Sequence, residues 1–314
     1  MLIVFSKIMS IFLMILIGFI ANKRNLLSDD AIPHMTNLMM YITAPCMVMG
    51  SIYSKTLSSD VITSTVQILV GSAVYFTVMT LLAFLFVKLL KFKPKEDWGM
   101  YMIALVTVNS GFMGFPVTKA IFGNDIFYLM VIGNIILNFY MFCVAPPILN
   151  IGSKVTMSFG EMLKTMVNIV FIAIIAGIVM LVLGVKPPAF IDDMVQAVGD
   201  ATIPVSMLLV GMQLGSSHIL SVLKNKRYLV INITAMVVIP LLTFLAVNPM
   251  NFLDTDVKVI LIFTSAFPTA VASVAICDQY GKNAKGMAEI VSLTTFTSLI
   301  TVPLIAAFLM SYYY

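Results

Sequence analysis

The amino-acid sequence predicts an all-α membrane protein with ten transmembrane helices, arranged as two inverted repeats of five. Of its 314 residues, 61% are hydrophobic and 10% are charged, whereas a soluble globular chain is about 45–50% apolar and about 25% charged. Apolar runs of about 20 residues, long enough to cross roughly 30 Å of hydrocarbon, recur along the whole chain. Similar segments in the two halves are the third observation. No stretch remains for a soluble domain.

The predicted spans are separated by short polar gaps. The first apolar run is expected to be a retained span, because its nearby charges, Lys23 and Arg24, follow it and no basic region precedes it. The central gap divides the chain into a first repeat (1–150), a cytoplasmic connection (151–164) and a second repeat (165–314). The spans lie near residues 2–21, 32–53, 64–88, 99–123, 127–149, 165–185, 192–215, 229–249, 257–280 and 288–310.

The basic residues indicate orientation. The net charge of +4 is spread over short gaps and is not gathered on one face, which argues against a nucleic-acid partner. The gaps after spans one, three, five, seven and nine hold thirteen of the 18 lysines and arginines, and the opposite face holds five. Basic loops stay in the cytoplasm. We therefore expect a plasma-membrane protein with both termini outside.

Two pairs of segments suggest an internal repeat. Residues 28–45 resemble residues 187–204, since each has a polar start followed by an amphipathic run that ends in proline. The pair Phe115–Pro116 in the fourth span recurs as Phe267–Pro268 in the ninth. Because five crossings reverse the direction of the second copy, the two halves would be inverted, as in many secondary transporters.

The fourth and ninth spans are expected to be broken near the bilayer midplane. Glycine and proline weaken a helix interior, whereas proline suits a first turn, so each span would restart at its proline. Freed backbone groups at membrane depth mark a cavity, and helix N-termini favour an anionic group such as a carboxylate. Simple proline kinks without a ligand are the alternative. The candidate substrate-binding residues are Asn109, Gly111, Gly114, Pro116 and Pro268.

Four further polar residues lie within the predicted spans. Asn138 lies one helical turn after Asn134, so both share a face that either lines a solute path or bonds a neighbouring helix. Asp200 is predicted to lie about 12 Å inside the seventh span, where an ionisable group is expensive. We regard Asp200 as a candidate for gating or proton coupling, with a buried structural partner as the alternative. Lys119 is expected to point outwards.

Signatures of catalysis and cofactor binding are missing from the sequence. It contains no Gly-x-Ser-x-Gly, no His-Glu-x-x-His and no Walker motif. Three cysteines occur singly within apolar runs, with no close pair to suggest a metal site or a disulfide framework. We expect no enzymatic activity, no cofactor and no metal. Without a nucleotide-binding domain, a gradient would drive any net transport.

At these motifs the whole chain resembles a bacterial member of the auxin efflux carrier family, whose prokaryotic branch includes malate and malonate permeases. The resemblance rests on the five-plus-five plan, the stretch from Asn109 to Pro116, Pro268 in the ninth span and the short connection around 150–164. It implies that the broken fourth and ninth helices cross. It also implies a scaffold of spans one, two, six and seven, and an elevator-like movement of the remainder.

The leading hypothesis is therefore a secondary transporter for a small organic anion, a mono- or dicarboxylate. Its expected partners are this substrate, membrane lipid and, as an open possibility, a second copy in a homodimer. A sodium-coupled carrier of the bile-acid type shares a similar crossed-helix plan, so architecture alone does not choose between them. An ion channel and a non-transporting membrane receptor are the alternatives from other functional classes.

Overall fold

The computed structural model describes residues 2–92, 94–149, 160, 166–217 and 222–314, with side chains from residue 6 onwards. The predicted connection at 151–164 therefore lies outside the described residues, apart from residue 160. The described part of the chain is mainly helical and forms no strand. Its helices are α1 (Leu2–Lys23), α2 (Ala31–Tyr53), α3 (Ser59–Leu89), α4 (Trp98–Val106), α5 (Phe115–Phe122), α6 (Asn124–Leu149), α7 (Ile169–Leu183), α8 (Ala189–Ser216), α9 (Lys226–Val247), α10 (Thr255–Ser265), α11 (Ala272–Gln279) and α12 (Ala284–Tyr313).

Seven of the described helices are long and apolar enough to cross a membrane, namely α1, α2, α3, α6, α8, α9 and α12. The prediction of an all-α, multi-pass membrane protein is therefore confirmed. Helix α7 is apolar but has only 15 residues. The predicted spans 99–123 and 257–280 are not continuous helices, because α4 ends at Val106 and α10 ends at Ser265.

Wide π turns accommodate several prolines without ending a helix. Proline cannot donate to the carbonyl four residues back, and its ring crowds that carbonyl, so a turn with one extra residue relieves both problems. In the described chain such turns span Met39–Thr43, Ser110–Gly114, Tyr140–Val144 and Thr234–Val238, and two residues after each comes Pro45, Pro116, Pro146 or Pro240.

The restart points differ from those expected from the sequence. Helical structure resumes at Ser110 and runs through Pro116, so Pro116 does not begin a half-helix. In the ninth span the chain is non-helical around Pro268, and α11 begins only at Ala272. Both predicted restarts were wrong because a π turn absorbs the first proline, while the second proline belongs to a non-helical segment.

Helices α1 and α8 pack so closely that their backbones touch. A Cβ atom added to Gly211 would lie 2.0 Å from the carbonyl oxygen of Ile15, and one added to Gly18 would lie 2.1 Å from that of Leu208. Small residues permit this kind of close crossing in membranes. Helix α8 also packs on α2, and α2 packs on α7. Among the remaining helices, α3 packs on α4 and α6, and α11 packs on α12.

Candidate functional site

The two helix breaks lie against each other. The backbone N–H of Asn109 donates to the carbonyl of Pro268 at 2.7 Å, and the N–H of Ala270 donates to the carbonyl of Thr107 at 3.3 Å. Between these bonds, Val108 and Thr269 form an isolated antiparallel bridge. A helix break leaves backbone N–H and C=O groups without their helical partners, and each of the two breaks bonds such groups of the other. Backbone groups at membrane depth need such partners because no water is available there.

Buried hydroxyl groups add further hydrogen bonds around the two breaks. The Thr269 hydroxyl donates to the carbonyl of Ala104 at 2.7 Å, and the N–H of Thr269 donates to the Thr294 hydroxyl of α12 at 3.2 Å. The hydroxyls of Thr107 and Ser273 share a hydrogen bond of 2.9 Å, which joins the first break to α11. The four hydroxyl side chains, Thr107, Thr269, Ser273 and Thr294, are all buried. They hold the two breaks in one register.

A cavity of about 130 Å³ adjoins the two breaks. Its wall is formed by α2, the first break and its π turn, α6, the start of α7 and the start of α11. Among the described residues that line it, none has a side chain with a formal charge. The polar side chains in the wall are Asn109, Ser110, Asn134, Asn138 and Asn168.

The asparagines leave hydrogen-bond donors available to a ligand. The side-chain oxygen of Asn109 accepts from the N–H of Phe112 at 3.3 Å. Because a backbone N–H can only donate, the atom that faces Phe112 must be the side-chain oxygen of Asn109. The NH₂ group then has no acceptor within the described chain. The oxygen of Asn134 accepts from the Ser110 hydroxyl. Asn138 makes no hydrogen bond to any described residue, so its whole amide is uncommitted.

Two helix N-termini also reach the cavity wall. Gly111 and Phe112 belong to the first turn of the helical stretch that begins at Ser110, where the N–H of Phe112 is already bonded to the Asn109 oxygen, and Val271 is the N-cap of α11, which begins at Ala272. N–H groups in a first turn lack helical acceptors and carry partial positive charge. A Cβ atom added to Gly111 would meet nothing within 4 Å, so this turn borders open space. The arrangement suits a ligand with several acceptor oxygens.

Comparison with known proteins decides the family. A family model described as membrane transport protein matches residues 3–151 and 152–306, which is nearly the whole chain. The chain belongs to the membrane transport protein family. This is the auxin efflux carrier family indicated by the sequence motifs, and that prediction is confirmed.

Two archaeal relatives are similar to this membrane transport protein. An uncharacterized transporter of Methanocaldococcus jannaschii is 24% identical over 314 residues, which cover 95% of this chain and 96% of that protein. An uncharacterized transporter of Methanothermobacter thermautotrophicus is 26% identical over 120 residues, which cover 38% of this chain and 39% of that protein. The first relative therefore matches from end to end, and the second over a shorter segment.

The structure places the sequence-predicted site residues of the transporter in two groups. Asn109, Gly111 and Asn138 line the cavity. Gly114, Pro116 and Pro268 are buried but do not contribute to its wall. A Cβ atom on Gly114 would lie 2.5 Å from the Met130 methyl carbon, so Gly114 allows close packing of α6. The carbonyl of Pro268 is already bonded to Asn109.

Sequence reasoning missed two polar residues of this wall and did not rank a third as a site residue. Ser110 directly follows Asn109 but was not selected, and Asn168 lies at the start of α7, where it caps the helix by accepting from Phe171 at 2.9 Å. Asn134 was noticed only through its helical spacing from Asn138. That spacing was the available signal, because both residues fall on one face of α6 and that face lines the cavity.

Asp200 is not buried, contrary to the expectation from its depth in the span. Its side chain is 64% exposed and pairs with Lys119, whose side chain is 12% exposed, at 2.8 Å. The prediction that Lys119 points outwards is therefore wrong, because its side chain reaches from α5 to α8. The error has a physical cause: depth along a helix says nothing about which side faces an opening, and this face of α8 is open.

Proposed function

We propose that this membrane transport protein is a secondary transporter of a small organic anion, a mono- or dicarboxylate, which it binds in the cavity beside the crossing. One observation carries the proposal: the cavity wall has no formal charge, yet asparagine amides and two helix N-termini present N–H donors to it. A carboxylate offers only acceptors and matches this wall. A neutral amide of similar size offers one acceptor oxygen in place of the two of a carboxylate and carries no charge, so it matches these donors less well.

The arrangement of helices supports a ten-span plan. We count the seven long helices, α7 and the two interrupted pairs, α4 with α5 and α10 with α11, as ten crossings, five on each side of the 151–164 connection. The two breaks then occupy corresponding positions in inverted halves. Transporters built this way bind substrate at their interrupted helices.

Alternating access requires a cavity that opens to one side at a time. The cavity wall includes Phe142, near the central connection, whereas Asp125 lies in the first turn of the same helix, α6, about 25 Å away at 1.5 Å per residue. At that far side Asp125 pairs with Lys55, and Lys119 pairs with Asp200. In an elevator-type cycle, α2 and α8 would belong to the scaffold, so both pairs would break and re-form as the crossing unit moves.

We further propose that the plasma membrane holds the protein with both termini outside the cytoplasm, because thirteen of the 18 basic residues then face inwards. Single cysteines in place of Lys226 and Lys186 test this in intact cells with a membrane-impermeant thiol reagent. The expected result is labelling at residue 186 and protection at residue 226. The reverse pattern would invert the proposed orientation.

Uptake into proteoliposomes tests the substrate class. Purified protein should mediate entry of labelled malonate or malate down its concentration gradient, and the corresponding amides should neither enter nor compete at similar concentrations. Liposomes without protein control for passive entry, and a sodium gradient applied to half of the samples tests sodium coupling. Equal handling of acids and amides across a panel of mono- and dicarboxylates would exclude the anion hypothesis. Conductance through single molecules in a planar bilayer would instead indicate a channel.

A further inference from the structure

A second, smaller cavity adjoins the cavity beside the two breaks. This chamber has a volume of about 20 Å³, and its wall is formed by α3, the π turn at Ser110, α6 and α10. Ser110, Asn134 and Leu137 line both the chamber and the larger cavity, so they form a common wall between the two spaces. An occupant of the chamber would therefore contact the proposed substrate site from the opposite side.

A buried hydroxyl group without a partner belongs to this chamber. Tyr75 lines the wall, and its hydroxyl is buried without a hydrogen-bond partner among the described residues. Tyr75 lies near the middle of α3, which runs from Ser59 to Leu89, and so at membrane depth. An unpaired buried hydroxyl is costly, and such groups usually bond to ordered water where no protein atom is in reach.

Other polar groups of the wall supply both donors and acceptors. Ser72 lies one helical turn before Tyr75, and its hydroxyl oxygen would be 3.0 Å from a Cβ atom added to Gly133 on α6. The Thr264 hydroxyl donates to a methionine sulfur at 3.5 Å, so its oxygen can still accept. The oxygen of Asn134 is already bonded to a serine hydroxyl, which leaves its NH₂ group as a donor.

Size and charge favour a water molecule as the occupant. A polar cavity admits a water when about 10–15 Å³ is open to a water-sized sphere, and a buried water makes about three hydrogen bonds. The chamber meets both conditions for one water and is too small for a carboxylate. A sodium ion would add positive charge beside the helix N-terminus at Ser110, and no carboxylate among the described lining residues would balance it.

We propose that the chamber binds one water molecule, which bridges the hydroxyls of Tyr75 and Ser72 to the NH₂ group of Asn134. The proposal rests on the proposed function, because Asn134 also lines the cavity for the anion. The water holds the Asn134 amide in place, so that its second N–H hydrogen is available to the substrate. Tyr75 and Ser72 do not line the substrate cavity and are positioning residues, which act on the substrate through the water and Asn134.

Thermal unfolding of the full-length protein in detergent, without substrate, tests for the water through the sign of one effect. Tyr75→Phe deletes only the hydroxyl. With a bound water, this substitution breaks a hydrogen bond, and the melting temperature should fall. In an empty chamber it would remove an unpaired hydroxyl, and the melting temperature would rise.

Gly133→Ala tests the same water from the opposite wall. Its Cβ atom, 3.0 Å from the Ser72 hydroxyl oxygen, crowds the chamber and should expel the water. Without the water the Tyr75 hydroxyl has nothing to bond. In the Gly133→Ala background, Tyr75→Phe should therefore no longer lower the melting temperature, and the two substitutions should be strongly non-additive.

Equilibrium binding of labelled malonate tests the positioning role. Tyr75→Phe should weaken binding about three- to tenfold, which corresponds to the loss of one hydrogen bond. Tyr140→Phe is the matched control, because the Tyr140 hydroxyl accepts from Thr80 at 2.9 Å and Tyr140 is outside the walls of both cavities. This control should also lower the melting temperature but leave malonate binding unchanged.

Three outcomes would overturn the proposal. A higher melting temperature for Tyr75→Phe alone would mean that the chamber holds no water. Stabilisation by sodium chloride over choline chloride at equal concentration, lost in Tyr75→Phe, would assign the chamber to a sodium ion. A lower melting temperature with unchanged malonate binding would remove the link between the water and the substrate. If the native protein binds no carboxylate, the proposed function fails, while the melting temperatures still decide whether the water is present.

Discussion

Asn109→Asp separates the two tasks of the Asn109 amide. The carboxylate retains an oxygen that can accept from Phe112, as the native oxygen does at 3.3 Å, but the substitution removes the NH₂ donor and places negative charge at the cavity wall. A hydrogen bond to a charged group contributes about 1.5–3 kcal/mol. Binding of malonate or malate should therefore weaken by about 10- to 150-fold, and charge repulsion would add to this loss.

Asn109→Ala provides the comparison. It removes the donor and also the contact with Phe112, so the free energy of unfolding should fall by about 1 kcal/mol, in addition to the loss of binding. Asn283→Ala is the matched control, because the oxygen of Asn283 accepts from Gly286 at 2.8 Å at the start of α12, outside the cavity wall. It should lose similar stability but bind substrate normally.

The assays are equilibrium binding of a labelled dicarboxylate to purified protein and thermal unfolding in the same detergent. Asn109→Asp should unfold close to the native temperature and bind poorly. If it binds as tightly as the native protein, the amide donor of Asn109 does not contact the substrate. If Asn283→Ala reduces binding as much as Asn109→Ala, loss of a helix cap explains the effect and Asn109 has no special role.

Three further predictions concern packing and the ion pair. Gly111→Leu should reduce transport with little change in thermal stability, because the side chain would enter open space, whereas Gly114→Leu, which would collide with α6, should lower the melting temperature. Asp200→Lys should slow transport through charge repulsion with Lys119, and the charge-swapped pair Lys119→Asp, Asp200→Lys should restore the rate. An exposed ion pair contributes only about 0.2–1 kcal/mol, so a change in rate above roughly fivefold would mean that Asp200 has a different role. Gly211→Val should abolish the folded protein in detergent, as judged by gel filtration, because a Cβ there lies 2.0 Å from a backbone oxygen; a normal elution profile would contradict the close packing of α1 and α8.

The path of the chain through the site could be predicted only in part. The weak points near Asn109 and Pro268 were visible, because glycine and proline act locally on a helix. The sequence did not show where each helix restarts relative to its proline. A π turn carries the first helix through Pro116, while the second half-helix starts only at Ala272, after Pro268. That difference depends on the bond between the two breaks, which joins residues about 160 positions apart.

The sequence alone determined the class of the protein. An excess of apolar residues can be stable only in lipid, so hydropathy predicted a multi-pass helical chain, and the motif from Asn109 to Pro116 indicated the family. Those features are local and additive along the chain. The tertiary structure alone decided which of the polar residues share a cavity and that Lys119 meets Asp200. A side chain's surroundings depend on helices distant in sequence, and no local pattern encodes their contact.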